Sequence, residues 1–361
     1  MKARKLLTII LVIAIVAGLL AACGTSTTTT KASGATTTAG KKLILAKIPI
    51  TLAASVHQAD IKWEQQYAME KYGAEVIYID GKGDATVTNT ALEDLIARKV
   101  DGIIINPTDP AAINAGVREA RKAGIPVITY YMTPTEEKIP WVKVNEVVNA
   151  KKMGVDAATK WKELYPNVPI KVGFVDFLTN PYIMSMRSIP FWEGVLEVDP
   201  KAEKVISLDG AGDLQKALVA GQDLLQSHPE VNIIYGTNAQ NALGALSAFE
   251  AAGRGKAVNG IPQTEIFCGT DASEDEILKL INPNSAFKYT LAMMPHENAI
   301  VQIDTLMKTI NGELDPDKQT VIDVFDKNID YYSMTLKDIQ DWMNSEYFTN
   351  VDLQAELDKM K

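Results

Sequence analysis

Apolar runs of strand length alternate along this chain with amphipathic stretches of helix length. Strands are predicted at Leu43 to Pro49, Glu75 to Asp80, Gly102 to Asn106, Pro126 to Tyr131 and Lys171 to Phe177. Further strands are predicted at Lys204 to Leu208, Asn232 to Tyr235, Glu265 to Gly269 and Phe287 to Met293. Between them, Ile61 to Tyr72, Thr86 to Arg98, Pro110 to Ala123, Val147 to Leu164, Leu214 to Gln226 and Ala239 to Ala251 carry the helical period. Such alternation predicts an α/β protein whose parallel sheets are covered on both faces. From about Leu43 onward the chain is too long for one typical core, so two domains are expected.

Local signals sharpen this pattern. In Asp109-Pro110-Ala111-Ala112 the Asp is expected to cap and the Pro to occupy the first helical position, with Gly124 as the C-cap. The same grammar recurs from Asn238 to Gly253, which suggests equivalent units in two lobes. The lobe boundary is placed near Val144 to Val147, after a loop holding Pro134 and Pro140. The strand Phe287 to Met293 and the helix from Pro295 are expected to return to the first lobe. The expected layout is then residues 43–145 plus about 282–312 for the first lobe, and 146–281 plus about 313–361 for the second lobe and tail. The tail, with Tyr331, Tyr332 and a helix from Leu336 to Met343 holding Trp342, is expected to pack on a lobe.

Ahead of this body, Lys2, Arg4 and Lys5 precede an apolar run from Leu6 to Leu20, shorter than the roughly 20 residues that span a bilayer. Residues 1–22 therefore read as an export signal. Leu20-Ala21-Ala22-Cys23 resembles the lipobox of bacterial lipoproteins, which makes Cys23 the expected lipidation site. Residues 23–42, rich in Thr, Ser, Ala and Gly, read as a flexible tether reaching about 25 Å. Loss of the three signal cations would take the net charge from -9 to -12, which argues against a nucleic-acid partner. With Cys23 lipidated, Cys268 has no partner in the chain and is expected in a buried strand. The three histidines, His57, His228 and His296, are not spaced as a ligand pair, so no metal site is expected, and no cofactor.

The segment Ile103-Ile104-Ile105-Asn106-Pro107-Thr108-Asp109-Pro110-Ala111-Ala112, continuing to Lys122-Ala123-Gly124-Ile125-Pro126-Val127-Ile128-Thr129, closely resembles the ribose/galactose-type periplasmic binding proteins. Asn238 with Asn241-Ala242-Leu243-Gly244-Ala245-Leu246, Gly269-Thr270-Asp271 and Pro295 match as well, so the similarity runs from about Leu43 to Gly312. The resemblance implies the type I binding-protein fold, two Rossmann-like lobes with parallel sheets joined by a multi-crossover hinge, with a ligand between the lobes. It also implies a monomeric protein that captures a sugar or polyol and delivers it to the permease of an ABC transporter, while the lipid anchor holds it at the membrane on the extracytoplasmic side.

Independently of the family, ligands of parallel α/β sheets bind outside the carboxyl ends of strands, where Asn106, Tyr131, Asn238 and Asp271 are expected. Asp271 is expected to accept ligand hydroxyls or to cap the helix through Glu274, or both. Asn238 is expected as a bidentate amide, and Asn106 either contacts ligand or closes its turn. Relative to the ribose-type pattern, an Asp-Arg pair is replaced by Tyr131-Met132 and a glutamine by Met293, so the ribose pocket is not reproduced. In place of first-loop aromatics stand His57, Gln58 and Asp60, which offer hydrogen bonds unless Asp60 caps the helix of Trp63. Arg187 is shifted by about two positions from the family's sugar-binding arginine and is either a ligand contact or a surface ion pair. Asn180 precedes it; Trp192 is either a stacking platform or core; Asp213 opens a helix that either takes a ligand oxygen or caps itself; Asn145, at the lobe boundary, completes the expected set.

Two other readings are weaker. No nucleophile with a base and no suitable carboxylate pair emerges, so an enzyme is not expected. A transcription regulator of this fold would need a basic DNA-binding segment where the lipobox and tether stand. Sensing for a membrane signalling receptor, or capture of a furanosyl signal molecule, is the alternative that keeps the fold.

Overall fold

A computed structural model describes residues Lys42 to Met360; the expected export signal, Cys23 and the tether lie outside the described residues. The chain runs β1 (Ile44–Ile48), α1 (Ser55–Tyr72), β2 (Glu75–Tyr78), α2 (Ala85–Arg98), β3 (Gly102–Ile105), α3 (Asn114–Lys122), β4 (Val127–Tyr130) and β5 (Trp141–Val144). Next come α4 (Val147–Leu164), β6 (Lys171–Asp176), α5 (Pro181–Met186), α6 (Ser188–Val198), β7 (Glu203–Asp209), α7 (Leu214–Ser227), β8 (Ile233–Gly236) and α8 (Ala239–Ala251). A small ribbon, β9 (Ala257–Val258) and β10 (Ile261–Pro262), leads to β11 (Ile266–Asp271), α9 (Glu274–Ile281) and β12 (Phe287–Ala292). The chain then forms α10 (Pro295–Ile310), β13 (Val321–Val324), β14 (Lys327–Asp330), α11 (Leu336–Glu346) and α12 (Leu353–Lys359).

Two six-stranded sheets result, ordered β13-β5-β4-β3-β1-β2 and β14-β12-β11-β8-β6-β7. Every pairing in them is parallel except that of β12 with β14. The first five strands of each half therefore wind in the same order, as the recurring helix grammar suggests. Central strands such as β3 and β4 are buried along their whole length, which is why they read as unbroken apolar runs.

The strand Phe287 to Met293 does not return to the first lobe. β12 pairs with β11 in the second sheet, and the return is made by α10, which packs on α1. Nor does everything after residue 313 join the second lobe, because β13 pairs with β5 at the edge of the first sheet. Among the described residues the chain thus passes between the sheets at Val144–Val147, Ala292–Pro295 and Val324–Lys327. The third helix begins at Asn114 and not at Pro110: Asp109 accepts from the Ala111 and Ala112 N–H groups in a turn that precedes it. As expected, α11 packs on the second lobe, with Ile339, Trp342 and Met343 in one core with Phe249 and Phe267.

Between α4 and α6 the approach is closest at two glycines. A Cβ on Gly154 would overlap the Phe191 carbonyl oxygen, and one on Gly194 the Lys151 carbonyl oxygen. In a free helix Gly→Ala gains roughly 1 kcal/mol. Here overpacking wins, and Gly154→Ala is expected to destabilise by about 1–3 kcal/mol in urea unfolding. A stabilised variant would show that the helices have room to separate.

Candidate functional site

Strand ends from both sheets meet in one buried polar cluster. From the first sheet comes Tyr131, which follows β4 in a left-handed conformation, φ 69°. Its hydroxyl donates to Glu146 Oε2 at 2.9 Å, while its carbonyl accepts from Trp141 Nε1 at 3.1 Å and from the Tyr182 hydroxyl at 3.0 Å. Tyr182 sits on α5 of the second lobe, so that last bond spans the lobes.

Glu146 lies in the first crossover and is fully buried. Its carboxylate accepts a fork from Arg187, with Nε at 2.8 Å and Nη2 at 2.7 Å, a charge-assisted geometry that fixes both partners. Arg187 Nη1 also donates to the Thr237 carbonyl at 2.8 Å and, more loosely, to Asp271 Oδ1 at 3.4 Å. Arg187 is therefore a buried organiser at the junction of α5 and α6, not a surface ion pair. Burial works against its charge, but Glu146, Tyr131 and Asp271 outweigh it and hold the guanidinium protonated.

Asp271 ends β11 with φ 101°, and Ala272 follows at φ 47°, an unusual pair of strained residues of the kind that cluster at binding sites. Its other oxygen accepts from the Ala239 N–H at 3.2 Å, at the start of α8. It does not cap α9: Ser273 does, in a capping box with Glu276. Burial raises the Asp271 pKa against the lowering pull of Arg187, yet 20% of its side chain stays accessible, enough for a ligand to reach.

Beneath these groups lies Asp176 at the end of β6. It accepts from the hydroxyls of Thr237 at 2.7 Å, Ser188 and Ser207, and so locks the loops that carry Arg187. Asp326, in the third crossover, is buried and neither of its carboxylate oxygens receives a hydrogen bond. Burial, then the charge of neighbouring Glu146, pushes its pKa well up.

Other expected residues separate into three groups. Asn106 is buried after β3 with its side-chain oxygen unpartnered, whereas Met293 joins the apolar core of the first lobe beside Tyr131 and Met132. His57 is partly buried on α1; burial, then the charges of Lys47 and Arg187, lowers its pKa to about 3 and keeps the ring neutral. Gln58 is exposed and donates to the Leu52 carbonyl, and Asn145 is half-buried, its N–H donating to the Val324 carbonyl.

The remaining side chains have partners within the protein, and for Asp213 and Trp192 these are the cap and the core that the sequence also offered. Asp60 does not cap α1, which starts at Ser55; with Glu64 it is buried against Lys47. Asn180, Asp213 and Asn238 cap α5, α7 and α8, accepting from the N–H groups of Ile183, Lys216 and Asn241. Asn238 keeps its amide N–H groups for other partners, one of which goes to Gln240. Trp192 packs edge-on against Phe174 in the second-lobe core. Glu146, Asp176 and Asp326 were not expected from the sequence, where lone acids at strand and helix ends look like caps.

A family model described as periplasmic binding protein domain matches residues 53–314. The ribose import binding protein of Bacillus subtilis is 29% identical over 185 residues, 51% of this chain and 58% of that protein, so the chain matches somewhat over half of that relative's length. The ribose import binding protein of Escherichia coli is 27% identical over 274 residues, 74% of this chain and 87% of that protein. In structure the chain resembles an ABC transporter periplasmic solute binding protein from Actinobacillus succinogenes with bound D-allose. That likeness has a TM-score of 0.66 at 22% identity and covers 80% of this chain and 98% of the other.

Proposed function

The chain belongs to the periplasmic binding protein family, and from that premise we propose an extracytoplasmic solute-binding protein that closes two lobes on a small polyhydroxylated molecule, a sugar or a polyol, and delivers it to an ABC importer. The observation that carries this reading is the chain Tyr131–Glu146–Arg187–Asp271, which draws together the carboxyl ends of the parallel strands of two sheets, where α/β proteins hold ligands. Asp271 is the ligand's anchor: it is accessible, conformationally strained and oriented by Arg187 and Ala239. A carboxylate takes two hydroxyl protons, the pairing that a vicinal diol offers. Arg187 and Glu146 set its position from behind, and His57, always neutral in the physiological range, serves as donor or acceptor from the first lobe. The protein acts as a monomer that binds its ligand and releases it unchanged, and lipidation at Cys23 keeps it near its permease.

Calorimetric titration with D-ribose, D-allose and myo-inositol tests the reading, as does intact recovery of the bound molecule. Asp271→Ala is expected to weaken binding of whichever compound binds by about one to two orders of magnitude, since a hydrogen bond to a charged group is worth roughly 1.5–3 kcal/mol. Unchanged affinity in that variant would remove Asp271 from the site.

A further inference from the structure

The matched part of the family ends at residue 314, and α11 and the segment after it lie beyond that point. Although α11 is rooted in the second-lobe core, its last residue, Glu346, and Phe348 just beyond it reach the first lobe. The Glu346 carboxylate, itself buried, accepts from the His296 N–H at 2.9 Å in the opening turn of α10. Its carbonyl accepts from Trp63 Nε1 on α1 at 2.7 Å. Phe348 packs on Trp63 with ring centroids 4.3 Å apart and planes tilted by 32°, Trp63 lies 4.1 Å from the His296 ring, and the Lys62 ammonium sits 5.5 Å over Phe348. Between these anchors Tyr347 turns the other way, with its hydroxyl 3.5 Å from the Asp271 carbonyl. A cavity of about 610 Å³ opens alongside, walled by Gln58 and Lys62 from the first lobe, Ala272 and Glu274 from the second, and Phe348 and Asn350 of the tail.

We propose that Glu346, Tyr347 and Phe348 form a clasp that ties the second-lobe tail to α1 and α10 of the first lobe, favours the closed arrangement of the lobes and holds Asp271 in position. The contacts are of two kinds, so that both must part when the lobes separate: hydrogen bonds on Glu346 and a tilted aromatic contact on Trp63. Tyr347 couples the clasp to the site, because its hydroxyl meets the backbone of the one residue whose strained conformation aims the carboxylate. Tyr347 and Glu346 are positioning residues; neither is asked to touch the ligand.

The test reads the lobe distance and needs no ligand. Nitroxide labels at Glu93→Cys on α2 and Lys216→Cys on α7, both exposed positions, report on opposite lobes of the full chain, while Cys268 is buried. Phe348→Ala removes an aromatic face that is 48% exposed, and Trp63→Phe keeps a ring but loses the donor to Glu346. Each is expected to shift the closed-to-open ratio about three- to ten-fold toward open, the effect of one aromatic pair or one hydrogen bond. Glu346→Gln, which keeps an acceptor for the His296 N–H, is expected to leave the ratio near wild type. Distance distributions identical to wild type in both Phe348→Ala and Trp63→Phe would overturn the clasp. The same measurement with D-ribose added addresses the capture reading separately, because the clasp is scored on the ligand-free ratio.

Discussion

Arg187→Met is expected to cost about 3–5 kcal/mol of stability at neutral pH and to abolish ligand capture. The first effect follows from the neighbours that the guanidinium leaves behind. Glu146 loses both bonds of its fork, Asp271 loses its cationic partner, and Asp326 stays buried beside them without a donor. Removing one member of a buried ion pair costs about that amount because the desolvated partner is stranded. The Asp271 and Asp326 pKa values, which burial already raises, are expected to climb further once the cation is gone. A carboxyl whose pKa is raised on folding contributes stability that is lost as pH rises, so the deficit of Arg187→Met should be largest at pH 8 and shrink toward pH 5. Adding Glu146→Gln removes one stranded charge, and the double variant should be less unstable than the sum of the single effects. Urea unfolding at both pH values measures the stability effects, and calorimetric titration measures capture; a deficit below about 1 kcal/mol, equal at both, would mean that Arg187 is solvated and not an organiser.

What the sequence makes legible here depends on burial on both faces. Strands β3, β4 and β8 read directly because parallel strands covered by helices become unbroken apolar runs. The edge strands β13, Val-Ile-Asp-Val, and β14, Lys-Asn-Ile-Asp, do not, since their exposed positions carry charge and the apolar run is interrupted. Because these strands flank the third crossover, missing them also hid Asp326 and misassigned the tail. The same limit governs the site. Tyr131 and Asp271 are legible because a polar residue at the end of an apolar strand has one place to go. Asn180, Asp213 and Asn238 satisfy the same rule as helix caps, a role that the sequence pattern alone does not distinguish from a contact. Glu146 stands one residue beyond Asn145 at a helix start, where an acid is the ordinary partner of the helix dipole. Its role is visible only once Arg187, 41 residues on, is folded against it.

A missed signal of a different kind leads to the second large effect. Asp60 and Glu64 are four residues apart on α1, hence on one face, and that face is turned inward toward a lone lysine in the apolar strand β1. Lys47 donates to Asp60, to Glu64 at 2.8 Å and to Gln302 at 3.0 Å, and Gln302 returns a bond to Asp60 at 3.0 Å. The group joins β1, α1 and α10 in the first lobe, with the Tyr130 ring 5.2 Å from the ammonium. Two acids thus share one cation, and one Glu64 oxygen has no donor at all. Burial, only partly countered by Lys47, raises the Glu64 pKa from 4.5 to about 8. The folded protein therefore binds a proton more tightly at Glu64 than the unfolded chain does. Its contribution is fully present below about pH 4.5 and is lost as pH rises through about 8. Lys47→Met fits the strand and removes the only cation in the group. At pH 8 it is expected to destabilise by about 3–5 kcal/mol, the cost of stranding buried charge. Without the lysine the Glu64 and Asp60 pKa values climb further, so both carboxyls become neutral in the variant on mild acidification, and most of the deficit should vanish by pH 5. Adding Glu64→Gln, which removes the acid with the unpartnered oxygen, should restore part of the stability at pH 8. Chemical unfolding of the wild type and both variants at pH 5 and pH 8 decides the matter: a deficit that persists undiminished at pH 5 would show that Lys47 contributes through packing against Tyr130 and not through its charge.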